Sequence, residues 1–191
     1  MPTKFFDGGL PVNTEVGFGI DQSLTGFAMS AVSEKGHLTW VYKSPYTGVE
    51  RLSDIRECLK DHLEYLAEKG NLIKDVAMEG TVVASHAASA LGELSAVVKL
   101  TLLDHYDGDP QGYPLQVPPM TLKKYTTGKG NSKKQEMLLH TYKTWGTEFN
   151  DDNAADAYSL GRLALGSHSN AVQKAVVEQM KDLKYRDQPR F

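Results

Sequence analysis

The chain carries at residues 17–28 the stretch Gly17-Phe18-Gly19-Ile20-Asp21-Gln22-Ser23-Leu24-Thr25-Gly26-Phe27-Ala28. This pattern predicts a buried strand that ends at Asp21, a tight turn, and a second strand that begins near Phe27. A carboxylate at the end of an apolar strand is costly to bury unless a cation pairs with it, and a metal ion is the strongest such charge. The stretch alone leaves two interpretations open: a metal-binding carboxylate, or a solvated Asp at the corner of a hairpin.

The rest of the chain predicts an α/β protein in which strands and helices alternate. Apolar residues in short runs predict strands, and apolar residues spaced three or four apart predict helices. Three sequential strands, followed by strands that helices separate, predict a mixed five-stranded sheet with helices on both faces. The predicted strands are 15–21, 26–32, 37–43, 72–79 and 113–117, and the predicted helices are 49–69, 85–106, 121–125, 132–145 and 151–165.

Length and composition limit the domain organisation and the class of protein. The chain has 191 residues, 40% of them hydrophobic, which predicts one folded domain at 15–166 with an irregular N-terminal arm at 1–14 and a polar tail at 167–191. The formal net charge of -3 argues against a strongly basic nucleic-acid binder, although acidic site residues can offset a local basic patch. The single cysteine permits no disulfide within the chain, and no apolar run approaches the ~18 residues of a membrane span. We therefore expect an intracellular, cytoplasmic protein without a membrane partner.

Acidic residues recur where predicted strands end and where the last predicted helix begins. Asp21 and Glu79 both end strands beside glycine-containing turns, a position at which ligands gather in α/β sheets. In the helix predicted at 151–165, either Asp152 or Asn153 shares a helix face with Asp156. Helix capping accounts for Asp151 and leaves the role of Asp152 open, but it does not account for Asp156, which lies past the first turn among alanines.

These carboxylates predict a site for a hard cation. Three or four carboxylates without a cluster of Cys or His are the donors that Mg²⁺ and Mn²⁺ prefer. Two such ions about 3.5–4 Å apart can clamp the attacking and leaving oxygens of a phosphodiester displacement.

The lysines are concentrated in residues 121–144, where Glu136 is the only acid. Lysine supplies charge to a phosphate backbone, and the Gly and Ser residues between the lysines supply closely approaching N–H groups. The segment therefore predicts nucleic-acid contacts, with a solvated, flexible loop as the alternative. The candidates for DNA binding are Lys123, Lys124, Lys129, Lys133 and Lys134.

Taken in order, these motifs resemble those of the RuvC family of Holliday-junction resolvases, within the RNase H-like superfamily. The resemblance spans roughly residues 15–165, and each motif is weak by itself while the ordered set is more specific. The lysine segment and the last acidic segment look more like phage-encoded members than bacterial ones. The segments that carry the resemblance are Gly19–Ala28, Met78–Gly80, Ser89–Leu94, Val117–Lys134 and Asp152–Ala157.

The resemblance implies an RNase H-like fold and a homodimeric, Mg²⁺-dependent endonuclease that resolves four-way DNA junctions, in recombination and repair, by paired nicking through two-metal hydrolysis. Mn²⁺ would substitute for Mg²⁺. Asp21, Glu79 and Asp156 match the metal-binding acids of the family. In bacterial members an acid or a histidine stands three residues before the last Asp; here that position holds Asn153, and Asp152 lies one residue earlier. Either residue is then the fourth metal ligand, and Asp152 is favoured as the fourth catalytic carboxylate.

Three other functions stay open. Val82 and Val83 stand where bacterial members carry an aromatic residue, so a broader flap or fork nuclease is the first alternative. The second is a non-catalytic module that binds branched DNA. The third is an actin-like ATP-binding lobe, because the stretch from Gly19 to Gly26 also resembles a phosphate-holding hairpin, although 191 residues supply only one of the two lobes such proteins need.

The small-residue helix predicted at 85–106 is the candidate dimer contact. Its apolar anchors in that interpretation are Leu94, Val97, Val98 and Leu102. Packing of the same residues on the chain's own sheet is the alternative.

Overall fold

The structure, a computed structural model, describes residues 4–80, 88–109 and 112–186. One mixed sheet runs through it, with helices on both faces. The strands are β1 (Lys4–Asp7), β2 (Glu15–Asp21), β3 (Phe27–Val32), β4 (His37–Tyr42), β5 (Leu72–Glu79) and β6 (Leu115–Val117). The helices are α1 (Gly48–Glu68), α2 (Ala88–His105), α3 (Pro119–Thr127), α4 (Lys134–Trp145), α5 (Asp152–Leu165) and α6 (Ala171–Met180), followed by a 3₁₀ turn at Leu183–Tyr185.

The sheet has the strand order β1-β4-β3-β2-β5-β6. Strands β1 to β4 form its antiparallel part, whereas β2, β5 and β6 run parallel to one another. Strand β2 is therefore the strand at which the sheet changes from antiparallel to parallel. The ends of β2 and β5 lie side by side, because Ile20 pairs with Met78.

The two faces of β2 differ because successive side chains point to opposite sides of a sheet. Val16, Phe18 and Ile20 are fully buried in a core cluster that also contains apolar residues of α1 and α2. Gly17 and Gly19 occupy the alternate positions and lie against the backbone of α5. The sheet is thus covered by α1 and α2 on one face and by α5 on the other, with α3, α4 and α6 beside α5.

The helices and strands predicted from residue 15 to residue 165 are present, with ends that differ by a few residues. The sheet has six strands where five were predicted, because Lys4–Asp7 of the predicted irregular arm pairs with β4 as an edge strand. The predicted polar tail contains α6, which packs against α3 and buries Val176 and Met180. The first three residues of the helix predicted at 85–106 lie outside the described residues.

Three of the four candidate dimer anchors on α2 are core residues, and the fourth, Val97, is half-buried. Leu94, Val98 and Leu102 are buried in the same cluster as the apolar face of α1, so packing within the chain accounts for them. Leu100, on another side of the helix, is 60% exposed. In the described parts of the chain, no helix is both long enough and apolar enough to cross a membrane.

Candidate active site

Two of the candidate carboxylates lie at the ends of neighbouring parallel strands. Asp21 ends β2 and Glu79 ends β5. Both belong to the face that α5 covers: Asp21 continues the row of Gly17 and Gly19, and Glu79 follows Ala77, which is buried in the cluster that contains α5 residues. The carboxyl ends of parallel strands, next to a change of strand direction, are a recurrent place for ligands.

A seam of glycines brings α5 onto this face. A Cβ atom on Gly19 would stand 2.0 Å from the carbonyl oxygen of Ala157 and 2.3 Å from the backbone nitrogen of Gly161. A Cβ atom on Gly17 would stand 2.1 Å from the carbonyl oxygen of Gly161. Backbone atoms cannot move aside cheaply, so only glycine permits this approach. The contact holds the first turns of α5 over the end of β2 and carries Asp156 to Asp21.

The two aspartates at the start of α5, Asp151 and Asp152, make different contacts. Asp151 is the N-cap, and its Oδ1 accepts hydrogen bonds from the backbone N–H groups of Asn153 and Ala154. Its other oxygen forms an ion pair with Lys4 of β1, with 2.7 Å between Nζ and Oδ2. Asp152, the first helical residue, forms an ion pair with Lys134 instead. Capping therefore accounts for Asp151, as the sequence predicted, and leaves Asp152 for another partner.

Asn153 faces the turn between β2 and β3. Its Nδ2 atom would lie 2.5 Å from a Cβ atom placed on Gly26, so the amide fills the space that this glycine leaves. The side chain thus packs on the turn that follows Asp21.

The carboxylates of the cluster act on one another through space. Burial, and next to it the carboxylates of Asp156, Glu79 and Asp152, raise the pKa of Asp21 well above its ordinary value. Burial also raises the pKa of Glu79, while Lys123, Lys134 and a hydrogen bond with Asp21 oppose that rise. The carboxyl groups at the two strand ends therefore lie within hydrogen-bond reach of each other.

Of the two α5 carboxylates in the cluster, Asp152 and Asp156, only Asp156 has a raised pKa. Burial, then the charges of Glu79 and Asp152, raise the pKa of Asp156 to about 7. Its Oδ1 atom is buried and accepts no hydrogen bond from the residues that the structure describes. The Lys134 ammonium, by contrast, lowers the pKa of Asp152. The four predicted carboxylates thus lie within electrostatic reach of one another, and three of them bind protons more tightly than an isolated carboxylate does.

The donor chemistry of the cluster fits a hard divalent cation. It offers only carboxylate oxygens, one of them buried without a partner, and like charges crowded together favour a multivalent counter-ion. As the side chains stand, no group of three or more His, Cys, Asp or Glu residues that could hold a metal ion is present in residues 4–80, 88–109 and 112–186. Binding would therefore require the side chains to turn toward a common point.

Lysines border the cluster on α3, on the loop after it and at the start of α4. Lys123 and Lys124 belong to α3, Lys129 follows the left-handed Gly128 that ends α3, and Lys133 caps α4 next to Lys134. Lys123 and Lys134 act on Glu79 and Asp156, which places them at the edge of the cluster. The structure therefore brings part of the predicted basic segment to the predicted acidic site.

The loop between α3 and α4 is ordered by hydroxyl groups. The Thr127 and Ser132 hydroxyl oxygens are 2.6 Å apart, and the backbone N–H of Lys129 donates to the Thr127 hydroxyl at 3.1 Å. Tyr125, which stands among the lysines of α3, is a buried core residue. The hydroxyls of this segment thus hold the loop in shape.

Two features of the site were not predicted from the sequence. Gln22, directly after Asp21, is buried and its Nε2 donates to the backbone carbonyl of Glu79 at 2.7 Å, which ties the two strand ends together. Lys4, from the predicted irregular arm, reaches the start of α5. The position of Gln22 beside Asp21 was the available signal for the first, whereas nothing local signals the second.

Comparison with known proteins gives a match in structure. No protein-family model matches the chain, and no curated protein does. A structure of Thermus thermophilus RuvC in complex with a Holliday junction substrate superposes with a TM-score of 0.63 at 20% identity, over 87% of this chain and 96% of that one. Another Thermus thermophilus RuvC structure gives a TM-score of 0.61 at 19% identity, over 90% of this chain and 98% of that one. The resemblance that the motifs indicated is confirmed at the level of the fold: the chain has the RNase H-like fold of RuvC.

Proposed function

We propose that this chain is a divalent-metal-dependent DNA endonuclease that resolves four-way junctions. The observation that carries the proposal is the meeting of Asp21, Glu79 and Asp156, from β2, β5 and α5, on one face of a RuvC-like fold. Buried carboxylates that raise one another's pKa are characteristic of functional sites, because a stable core has no use for them. The Thermus protein of the same fold was solved with a Holliday junction, which supports branched DNA as the substrate.

The carboxylates would hold the cations. We assign this task to Asp21, Glu79, Asp152 and Asp156, with two Mg²⁺ ions as the cofactor and Mn²⁺ as a substitute. When bound, these ions supply Lewis-acid stabilisation of the oxygens that enter and leave in phosphodiester hydrolysis. We assign the fourth position to Asp152 and not to Asn153, because Asp152 acts on Asp21 and Asp156 while Asn153 packs on Gly26.

Other residues of the chain would hold the carboxylates in place and bind the DNA backbone. Gln22 fixes the end of β5 relative to β2, which keeps Asp21 and Glu79 in register. The lysines bind the phosphate backbone next to the carboxylates and steer DNA past an otherwise slightly acidic molecule. A homodimer would give the two-fold symmetry that two matched nicks across a junction require.

Cleavage of a labelled synthetic four-way junction tests the proposal, beside a flap, a fork and a linear duplex of matched sequence. Wild-type protein, Asp21→Asn and Asp61→Asn are compared in Mg²⁺ and in EDTA. Asp61 is an exposed residue of α1, on the opposite face of the sheet, and so controls for the loss of one acidic charge.

Paired nicks on the junction, lost in Asp21→Asn and in EDTA but kept in Asp61→Asn, are the expected result. Comparable cutting of flaps and forks would replace the resolvase by a general branched-DNA nuclease. Binding of the junction without metal-dependent cutting of any of the four substrates would leave a binding module and exclude the enzyme.

A further inference from the structure

Lys134 lies at the edge of the acidic cluster and contacts one of its carboxylates. Its ammonium forms an ion pair with the Oδ2 atom of Asp152, across the gap between the starts of α4 and α5. Its charge also lowers the pKa of Asp21, Glu79 and Asp156, so it acts on all four carboxylates. The cluster therefore already has a counter-ion from the protein itself, in the absence of any metal.

The position of this lysine makes the ion pair easy to exchange. The Lys134 side chain is 76% exposed and that of Asp152 is 35% exposed, so neither is locked in place by packing. Exposed ion pairs between flexible side chains contribute little to stability, because solvent screens them and ordering the side chains costs entropy. Compare Arg186 and Asp75, whose side chains are 26% and 20% exposed and whose contact uses two guanidinium nitrogens. The Arg186–Asp75 pair is held by two contacts between less exposed side chains, whereas the Lys134–Asp152 pair can open at a small cost in free energy.

A divalent ion that binds the Asp152 carboxylate would lie beside the Lys134 ammonium, and the two positive charges would repel each other. A monovalent charge at the rim cannot neutralise four carboxylates: burial, and next to it the charges of Glu79 and Asp152, still raise the pKa of Asp156. A divalent ion held by Asp21, Glu79 and Asp156 would gain Asp152 as a ligand more readily if Lys134 released that carboxylate. The ion pair would therefore oppose metal binding at Asp152.

We propose that Lys134 is the resident counter-ion of the carboxylate cluster, and that a divalent cation displaces its ammonium from Asp152 on binding. This inference rests on the proposed function, since it assumes that the cluster binds metal. It adds that Lys134 sets the concentration at which the metal binds. A lysine that served only as a DNA contact would leave metal affinity unchanged.

Calorimetric titration of the DNA-free protein with Mn²⁺ tests the exchange. Wild type is compared with Lys134→Met, Lys123→Met and Lys143→Met. Lys123 acts on Glu79 and Asp156 with no ion pair to Asp152, so it measures the effect of removing a nearby positive charge. Lys143 lies at the other end of α4 and is exposed, so it controls for the loss of one charge from the same helix. Lys134→Gln serves as a second variant if Lys134→Met does not fold.

The expected result is a Kd for Mn²⁺ that falls about two- to fivefold in Lys134→Met, the range that an exposed ion pair can contribute. Lys123→Met should show a smaller fall and Lys143→Met none. Equal or weaker binding in Lys134→Met, or an equal effect in Lys123→Met, would overturn the exchange.

The experiment distinguishes failure of the Lys134 exchange from failure of the proposed metal site. If wild type binds Mn²⁺, Asp21→Asn does not, and Lys134→Met binds as wild type does, only the exchange is wrong. If wild type shows no saturable binding that Asp21→Asn removes, the proposed metal site is wrong and the exchange falls with it. A crystal structure with Mn²⁺ in which the Lys134 ammonium still contacts Asp152 would also overturn the exchange.

Discussion

Two neighbouring aspartates at the start of α5 illustrate how strongly position determines the role of a residue. Asp151 caps the helix and pairs with Lys4, whereas Asp152 belongs to the acidic cluster. Asn is as good an N-cap as Asp, so Asp151→Asn keeps the cap and loses one exposed ion pair. We expect Asp151→Asn to cut junctions as wild type does.

The change Asp152→Asn should cost junction cleavage on the order of 100-fold, because it removes a carboxylate from the proposed ligand set. Initial cleavage rates of the two variants in Mg²⁺, at equal protein concentration, make a matched comparison. Loss of activity in both would assign Asp151 to the site as well. Retention in both would remove Asp152 from the ligand set and return Asn153 as the candidate.

Asp156 predicts a pH dependence in the stability of the metal-free protein. Its folded-state pKa of about 7 lies above the ordinary value of 3.8. The folded state therefore holds a proton that the unfolded state has lost, and this contribution to stability disappears as pH rises toward and through 7. His37 has the opposite tendency: burial lowers its pKa to about 4, so stability falls as pH drops below 6.5.

Comparing wild type with Asp156→Asn separates the two residues, because His37 is common to both. We expect the Tm of Asp156→Asn to rise relative to wild type as the pH goes from 5 to 8 in EDTA. Thermal denaturation followed by circular dichroism measures it. A constant difference across that range would show that Asp156 does not titrate as an acidic-cluster carboxylate.

At the scale of strands and helices, the close contact between β2 and α5 brings the carboxylates of the site together. The Gly19→Ala change places a methyl group against the backbone of Ala157 and Gly161, so α5 must move away from the sheet. We expect a loss of roughly 3 kcal/mol or more in the free energy of unfolding, and loss of metal binding before loss of fold.

Gly92→Ala is the matched control for that change. Gly92 lies within α2, and no atom of the described part of the chain lies within 4 Å of the position of its missing Cβ. Alanine favours the helix more than glycine does, so this variant should gain about 0.5–1 kcal/mol. Urea denaturation of both proteins measures the difference. Similar, small changes in the two variants would show that the seam tolerates a side chain.

The whole molecule separates its charges: the net charge is -3, yet lysines are concentrated beside the acidic cluster. DNA binding should therefore depend steeply on salt, since each phosphate contact releases counter-ions. We expect Lys124→Ala and Lys129→Ala each to reduce the slope of log K against log salt by about 1. Lys60→Ala on α1, on the other face of the sheet, should leave the slope unchanged.

Fluorescence anisotropy of a labelled junction in EDTA, at four or more salt concentrations, gives these slopes. EDTA prevents cleavage by a metal-dependent enzyme during the measurement. An unchanged slope in Lys124→Ala and Lys129→Ala would remove these residues from the DNA interface. A reduced slope in Lys60→Ala would place DNA on the opposite face.

Much of this arrangement was predictable because the signals are local. Asp21 and Glu79 end apolar runs, and the alanines around Asp156 allow a close helix contact, so the sequence placed these acids at one end of one sheet. β1 was missed because a run of four residues is too short to show a clear strand pattern. The burial of Leu94, Val98 and Leu102 was left open because an apolar helix face does not reveal its partner.

The Lys134–Asp152 pair was unpredictable for a different reason. It joins two helices, and neither residue has a local pattern that distinguishes it from its neighbours Lys133 and Asp151. Only the packing of α4 against α5 selects one lysine and one aspartate from each pair. The composition of the site was therefore accessible from the sequence, whereas its internal pairing was not.

The glycine seam also has a consequence for how the protein is made. Asp21 and Asp156 stand 135 positions apart, and the contact that unites them joins β2 to α5. Contacts between distant segments form late and slow folding, because closing a long loop costs entropy. A nascent chain on the ribosome has exposed β2 and β5 well before α5 emerges. The unfinished protein therefore lacks a complete acidic cluster, and the proposed active site is assembled only when α5 docks on β2.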